Sequence, residues 1–418
     1  MRVPPFLLGC ALLGGLLVSC GGVQATPRLI RVPADRPTLQ AAVDSARTGD
    51  TVLVSPGTYN EAVTVDTDGI VVRGEERNSV ILDGRNELSN GFLVSGNNVR
   101  IENLTVHSYT QNGVVFNGIL AVTDGGAVDQ SVTYGTEGHS LEGFEVSHVT
   151  SYNNGLYGIY AFASTKGLIE DSYVSGHPDS GIYVGQCRPC DTVVRRITAE
   201  RNAIGYYGTN ASGNVFILES TFAHNRLGIA PNSQKAEKLS PQGEAVVAGN
   251  TVADNDDPDA PPISNGFFGG GIAVGGGTRN IILRNLVTGH AFAGIILTAL
   301  NDFFPENNRV EGNVLRGNTW DLAYSPEGAV GAAGNCFVDN YFSSSAPPDI
   351  EKAMPCSGTS TVTGPGDVTM PAAPPKVDYR QTPAPPAQTS MPAITAAQPA
   401  GARPFAAPDL SRIEVPAP

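Results

Sequence analysis

The chain has 418 residues, of which 41% are apolar and only 16% charged, with 49 glycines. Its formal net charge of −14 excludes nucleic acid or an anionic membrane surface as partner, since those are held by clustered Lys and Arg. A cationic partner fits, as does the ordinary acidic balance of an exported protein, and the Gly-rich, charge-poor mix suits many short strands joined by turns.

Residues 1–19 read as a signal peptide outside the fold. Arg2 flanks an apolar run from Phe6 to Val18, which is short for a bilayer span and the right length for a secretory h-region. The run ends Leu17-Val18-Ser19-Cys20-Gly21. This resembles the lipobox of bacterial lipoproteins. The resemblance implies lipidation at Cys20, a linker over 20–28, and an exported protein anchored in the cell membrane or outer envelope. Val23-Gln24-Ala25 leaves an alternative open: cleavage there would release a soluble exported protein.

Pro37 to Ala46 predicts a short amphipathic helix with Leu39, Ala42, Val43 and Ala46 on one face. Thr51–Val54 is the first plausible strand. Beyond it the chain repeats itself. A Gly followed by an apolar residue recurs at Gly158, Gly181, Gly205, Gly228, Gly271 and Gly294, in steps of 23, 24, 23, 43 and 23 residues. Gly91 and Gly113 add a step of 22. The long steps hold insertions at 119–140 and 254–266.

A second pattern runs inside the repeat: two apolar residues five positions apart, then Asn, His or Tyr three positions on. Its nine matches are Ile101/Val106/Tyr109, Phe144/Val149/Tyr152, Ile169/Val174/His177, Val194/Ala199/Asn202, Ile217/Phe222/Asn225, Val247/Val252/Asn255, Ile282/Val287/His290, Val310/Leu315/Asn318 and Ala332/Phe337/Asn340. A unit this short cannot bury an apolar face alone, so it must stack on copies of itself. The recurring Asn suits a tight bend and can bond its counterpart one coil away. The recurring Gly is assigned to another bend.

The pattern resembles the right-handed parallel β-helix superfamily, the fold of pectate lyases and their relatives. The run GDTVLVSPGTYNEAV from Gly49 is similar to the opening coil of many bacterial members. The fold expected is all-β: one solenoid over 29–356 of roughly ten coils, capped by the N-terminal helix. A disordered Pro/Ala-rich tail is expected over 357–418. Residues 371–418 carry 12 of the 31 prolines and too little apolar area of their own to offset ordering. The resemblance implies a polysaccharide partner and leaves lyase, epimerase, hydrolase and non-catalytic surface protein all open.

Four cysteines remain outside the signal and linker. Cys187 and Cys190 form a CxxC read as a loop-locking disulfide, and Cys336 and Cys356 could pin the last coil. On the strand from Gly181, Ile182 and Val184 are expected inward and Tyr183 outward, and the same phase puts Tyr160 and Tyr207 outward on neighbouring coils about 4.8 Å apart. Such a column could bind sugar rings, with Gln186, Asn210 and Asn232 of the following loops bonding hydroxyls, or could simply stabilise the sheet.

His177 and His290 fall on the Asn position and read as structural. His224 is expected in solvent. Asp254, Asp256, Asp257 and Asp259 could hold calcium but lack EF-hand spacing, so no cofactor is assigned. Lys235 is the one candidate base for the elimination chemistry that the resemblance implies. Paired carboxylates for glycoside hydrolysis are not evident. The reading favoured is a lipid-anchored envelope protein that binds a polysaccharide, with processing of that polysaccharide left open. The alternative is a non-catalytic structural or adhesive surface protein.

Overall fold

The computed structural model describes residues 26–118, 140–263, 267–326, 333–362 and 364–417. The signal peptide, Cys20, nearly all of the 119–140 insertion and Ala332 lie outside the described residues. Eleven short strands stack in strict chain order into one sheet, from Val63–Val65 to Ser345–Ala346. Twenty others form the remaining walls, each pairing in parallel with its counterpart one turn on. The result is a parallel β-solenoid.

Apolar residues fill its bore in register. Ile159, Ile182, Tyr206, Ile229, Ile272, Ile295 and Leu322 follow one another up the eleven-stranded sheet and are almost fully buried. Each such side chain stabilises by about 1.5–3 kcal/mol on leaving water. No single coil could shield them.

Asparagine ladders fasten the bends. Asn202 Nδ2 donates to Asn225 Oδ1 at 3.0 Å, and Asn225 Nδ2 to Asn255 Oδ1 at 2.8 Å. His177 and His290 occupy rungs of the same ladder, bonded to Asn202 and Asn318. Two further ladders lie outside the sequence pattern except at Asn340: Asn250, Asn285, Asn313 and Asn340, and Asn280, Asn308 and Asn335. Two of the nine predicted matches are out of register. Val146 pairs with Ile101 and Ser151 with Val106, so the rung of that coil is Asn154, not Tyr152. Phe337 pairs with Val310, and Asn340 joins the second ladder. A Ser and a second Asn at core positions broke the apolar phase.

The recurring Gly is explained differently from the bend expected. A Cβ at Gly158 would lie 2.5 Å from the Gly181 carbonyl oxygen; at Gly205 it would lie 2.6 Å from that of Gly228, and at Gly271 2.5 Å from that of Gly294. Only Gly lets consecutive coils approach this closely at the entry to each strand.

The ends are closed. A helix spans Leu39–Ser45 with Leu39, Ala42 and Val43 buried, and Thr38 Oγ1 accepts from the Ala41 N–H at 3.1 Å, an N-cap. The strand Leu29–Val32, which precedes the expected first strand, pairs in parallel with Thr51–Val54. At the other end Ile350 and Met354 are fully buried, and Cys336 is bonded to Cys356. Cys187 is bonded to Cys190.

The tail is not disordered. Its described part is an extended strap lying along the solenoid. It leaves the end of the eleven-stranded sheet near Val368, reaches Thr51 through the Gln398 N–H, and returns to Arg284 at Ile413. Arg73, Arg77, Arg226 and Arg284 donate to its carbonyls at Pro392, Thr389, Pro375 and Ile413. Extended Pro-rich chain has no internal hydrogen bonds, so its carbonyls are free to accept. Ile413 and Phe405 cover Phe216, Val246 and Leu283 on the outer wall. The composition argument failed because the wall, not the tail, supplies most of the apolar area.

Candidate functional site

The outward face of the eleven-stranded sheet carries the tyrosine column. Tyr160 pairs with Tyr183 and Tyr183 with Tyr207 across consecutive strands. The Tyr160 and Tyr183 rings stack at 4.7 Å, and Tyr207 meets Tyr183 edge-on at 6.0 Å. The sequence reading missed a fourth ring, Tyr157, which lies 4.7 Å from Tyr160 and 5.2 Å from Tyr183. Strict alternation hides it. Gly158 and Ile159 both face inward at the strand entry, which returns Tyr157 to the outer face.

Tyr183 is outward of the solenoid but not exposed: only 4% of it is accessible. Its ring lies over Gly185, where a Cβ would come within 2.3 Å of the Tyr183 hydroxyl. Tyr157, Tyr160 and Tyr207 are half-buried and present ring area to solvent.

The three amides expected to bond sugar hydroxyls have other partners. Asn210 accepts from the Gln234 N–H at 2.9 Å and donates to the Gln234 carbonyl at 2.9 Å and the Glu237 carboxylate at 3.1 Å. Gln186 Oε1 accepts from the Leu239 N–H at 3.2 Å. Asn232 accepts from Thr209 at 3.1 Å and reaches the Tyr207 hydroxyl at 3.4 Å. All three are buried. Asn210 and Gln186 hold the 233–241 segment over one edge of the tyrosines, and Asn232 joins Thr209 to the Tyr207 hydroxyl.

That segment delivers a carboxylate. Glu237 is half-buried, and burial pushes its carboxyl up to about 7, with the Asn210 and Gln186 amides pulling the other way. From the opposite edge, just before the Tyr183 strand, comes Asp179. Burial pushes its carboxyl up to about 6, partly offset by a hydrogen bond with the Tyr157 hydroxyl. Both carboxylates lie close enough to Tyr207 to raise its hydroxyl pKa, after the larger effect of burial. Two proton-exchanging acids therefore flank one set of rings. Sequence reading lacked them because Asp179 is remote in the chain from Glu237 and only coil stacking joins them. The one available sign was the long loop after Asn232.

Lys235 is not at the rings. It is exposed and paired with Asp302, also exposed. His177 and His290 are buried ladder rungs, pushed down to about 4 by burial, and His224 is exposed.

A family model described as a right handed beta helix region matches residues 131–315. The chain is a right-handed parallel β-helix protein. Among solved structures this β-helix is similar to the pectate lyase Pel9A, with 13% identity over 77% of each chain and a TM-score of 0.50. It is also similar to the A-module of the mannuronan C-5 epimerase AlgE4 of Azotobacter vinelandii, with 15% identity, 74% of this chain and 92% of that one covered, and a TM-score of 0.49. No protein with a curated description matches it in sequence.

Proposed function

We propose that this β-helix is an exported, lipid-anchored envelope protein that binds a polysaccharide across Tyr157, Tyr160 and Tyr207 and processes it with Asp179 and Glu237. The observation that carries the reading is the placement of two carboxyls, shifted to about 6 and about 7, at either edge of partly open aromatic rings. Aromatic faces with polar tips suit sugar rings. Carboxyls shifted toward neutrality can give and take protons at working pH. The likeness to a pectate lyase supports a polysaccharide as the class of partner. Two disulfides support export.

The test is a glycan array on the mature protein, followed by calorimetry and product analysis on each hit. Tyr160→Ala and Tyr207→Ala should each weaken binding by about 1–2 kcal/mol. Glu237→Gln should lose turnover on each polysaccharide that the wild type processes. Silence across the array, with both Tyr variants less stable, favours the structural alternative, to which the burial of Tyr183 lends support. Anchoring is tested separately. Cys20→Ala should move the protein out of the membrane fraction, and unchanged partitioning removes the lipoprotein reading.

A further inference from the structure

None of the eleven strands of the tyrosine sheet contains Lys or Arg. The stretches 119–139, 264–266 and 327–332 contain none in their sequence either. The cations in loops next to the rings are otherwise engaged. Arg188 donates to the Leu239 and Pro241 carbonyls, Lys235 pairs with Asp302, Arg201 with Glu200, and Arg226 holds the strap. Lys238, one residue past Glu237, is exposed.

Two acidic groups interact with the rings or their flanking amides. Asp179 meets Tyr157 and Tyr207; Glu237 meets Asn210 and Gln186 and lies near Tyr183. Neither carboxylate has an ion-pair partner among the described residues within 4.0 Å.

Two buried polar atoms lie beside these groups without a hydrogen-bond partner among the described residues. Ser180 stands between Tyr157 and Ile204 in register, both on the outer face, and its fully buried hydroxyl has no hydrogen-bond partner. Gln186 Nε2, also buried, comes near Glu237 without a well-formed hydrogen bond.

Four aromatic rings and two carboxylates with no ion-pair partner among the described residues make a poor host for a polyuronate, which would bring more negative charge to an acidic face. They suit an ammonium group, which can lie over a Tyr face and form charge-assisted hydrogen bonds with a carboxylate. We propose that the site takes an amine-bearing glycan, a polymer of hexosamine with free, protonated amino groups. This rests on the polysaccharide reading above and narrows it to one charge class.

The experiment is calorimetric titration of the full mature chain with three hexamers: β-1,4-linked glucosamine, its N-acetylated form, and galacturonic acid. The glucosamine hexamer should bind at least about ten-fold more tightly than the acetylated one, on the scale of one charge-assisted hydrogen bond. The uronate should show no binding. Glu237→Gln and Asp179→Asn should each cost about ten-fold toward the glucosamine hexamer and so narrow its advantage over the acetylated one. Both variants remove a carboxyl that burial disfavours, so their melting temperatures at pH 8 should not fall, which separates lost binding from lost folding. Tighter binding of the uronate, equal binding of the amine and acetyl forms, or silent carboxylate variants would overturn the proposal and leave a polysaccharide site standing. Silence toward all three hexamers and the whole array would remove the polysaccharide reading itself.

Discussion

The two ladder histidines should make the solenoid lose stability on acidification by an amount that can be worked out. His177 and His290 are at most 1% exposed. Their Nδ1 atoms lie 2.8 Å from Asn202 Oδ1 and 2.7 Å from Asn318 Oδ1. Their Nε2 atoms lie 3.3 Å from Asn154 Nδ2 and 3.1 Å from Asn255 Nδ2. This network assigns a neutral ring, with Nδ1–H donating and Nε2 accepting. Burial lowers both rings from 6.5 to about 4. Between these values the unfolded chain binds a proton that the native ring refuses. The stability is therefore complete above pH 6.5 and is lost as pH falls toward 4. At pH 5 the loss is about 2 kcal/mol per ring and about 4 for the pair. Asp179 and Glu237, whose carboxyls are raised, act with the opposite sign in the same window, so the wild-type curve alone is not decisive. The clean measure is a difference. His177→Asn with His290→Asn restores the residue found on the other rungs, and any packing loss is an offset independent of pH. Urea unfolding from pH 8 to pH 5 should show the wild type losing about 4 kcal/mol more than the double variant. Parallel curves for the two proteins would refute the ladder assignment.

Ile182→Asp puts an unpaired charge into a position with no exposure and should cost several kcal/mol. An unchanged melting temperature would mean the register is wrong. Tyr183→Ala should lower stability by about 3 kcal/mol or more, the cost of a buried aromatic truncated to Ala, whereas Tyr160→Ala should act chiefly on glycan binding; comparison of melting and binding for the pair decides it. Truncation after residue 370 should expose Phe216, Val246 and Leu283, seen as greater binding of a hydrophobic dye and greater self-association. A monodisperse product with no extra dye binding would show that the strap covers nothing of consequence.

The repeat was legible in the chain because stacking imposes one requirement on every coil. Apolar residues at the strand centres, Gly at each strand entry and Asn at each bend recur at a nearly fixed step, so period alone led to a β-helix. The outward placement of Tyr160 and Tyr207 followed from the same phase, as did the structural role of His177. Where a coil broke the rule the pattern slipped, by two residues at the coil with Ser151 in the core and by five at Phe337 and Asn340. Tyr157 was lost to the local break in alternation at Gly158.

Three matters were settled only in three dimensions. The Asn210 and Gln186 amides hold a loop because a neighbouring coil brings Gln234 and Leu239 within their reach. The tail is ordered because the outer wall offers it arginines and apolar area, which the composition of the tail cannot reveal. Asp179 and Glu237 flank one set of rings although 58 positions separate them in the chain. Period fixes which residues share a column, but the proximity of two loops depends on how many turns of the solenoid lie between them and on which way each loop folds.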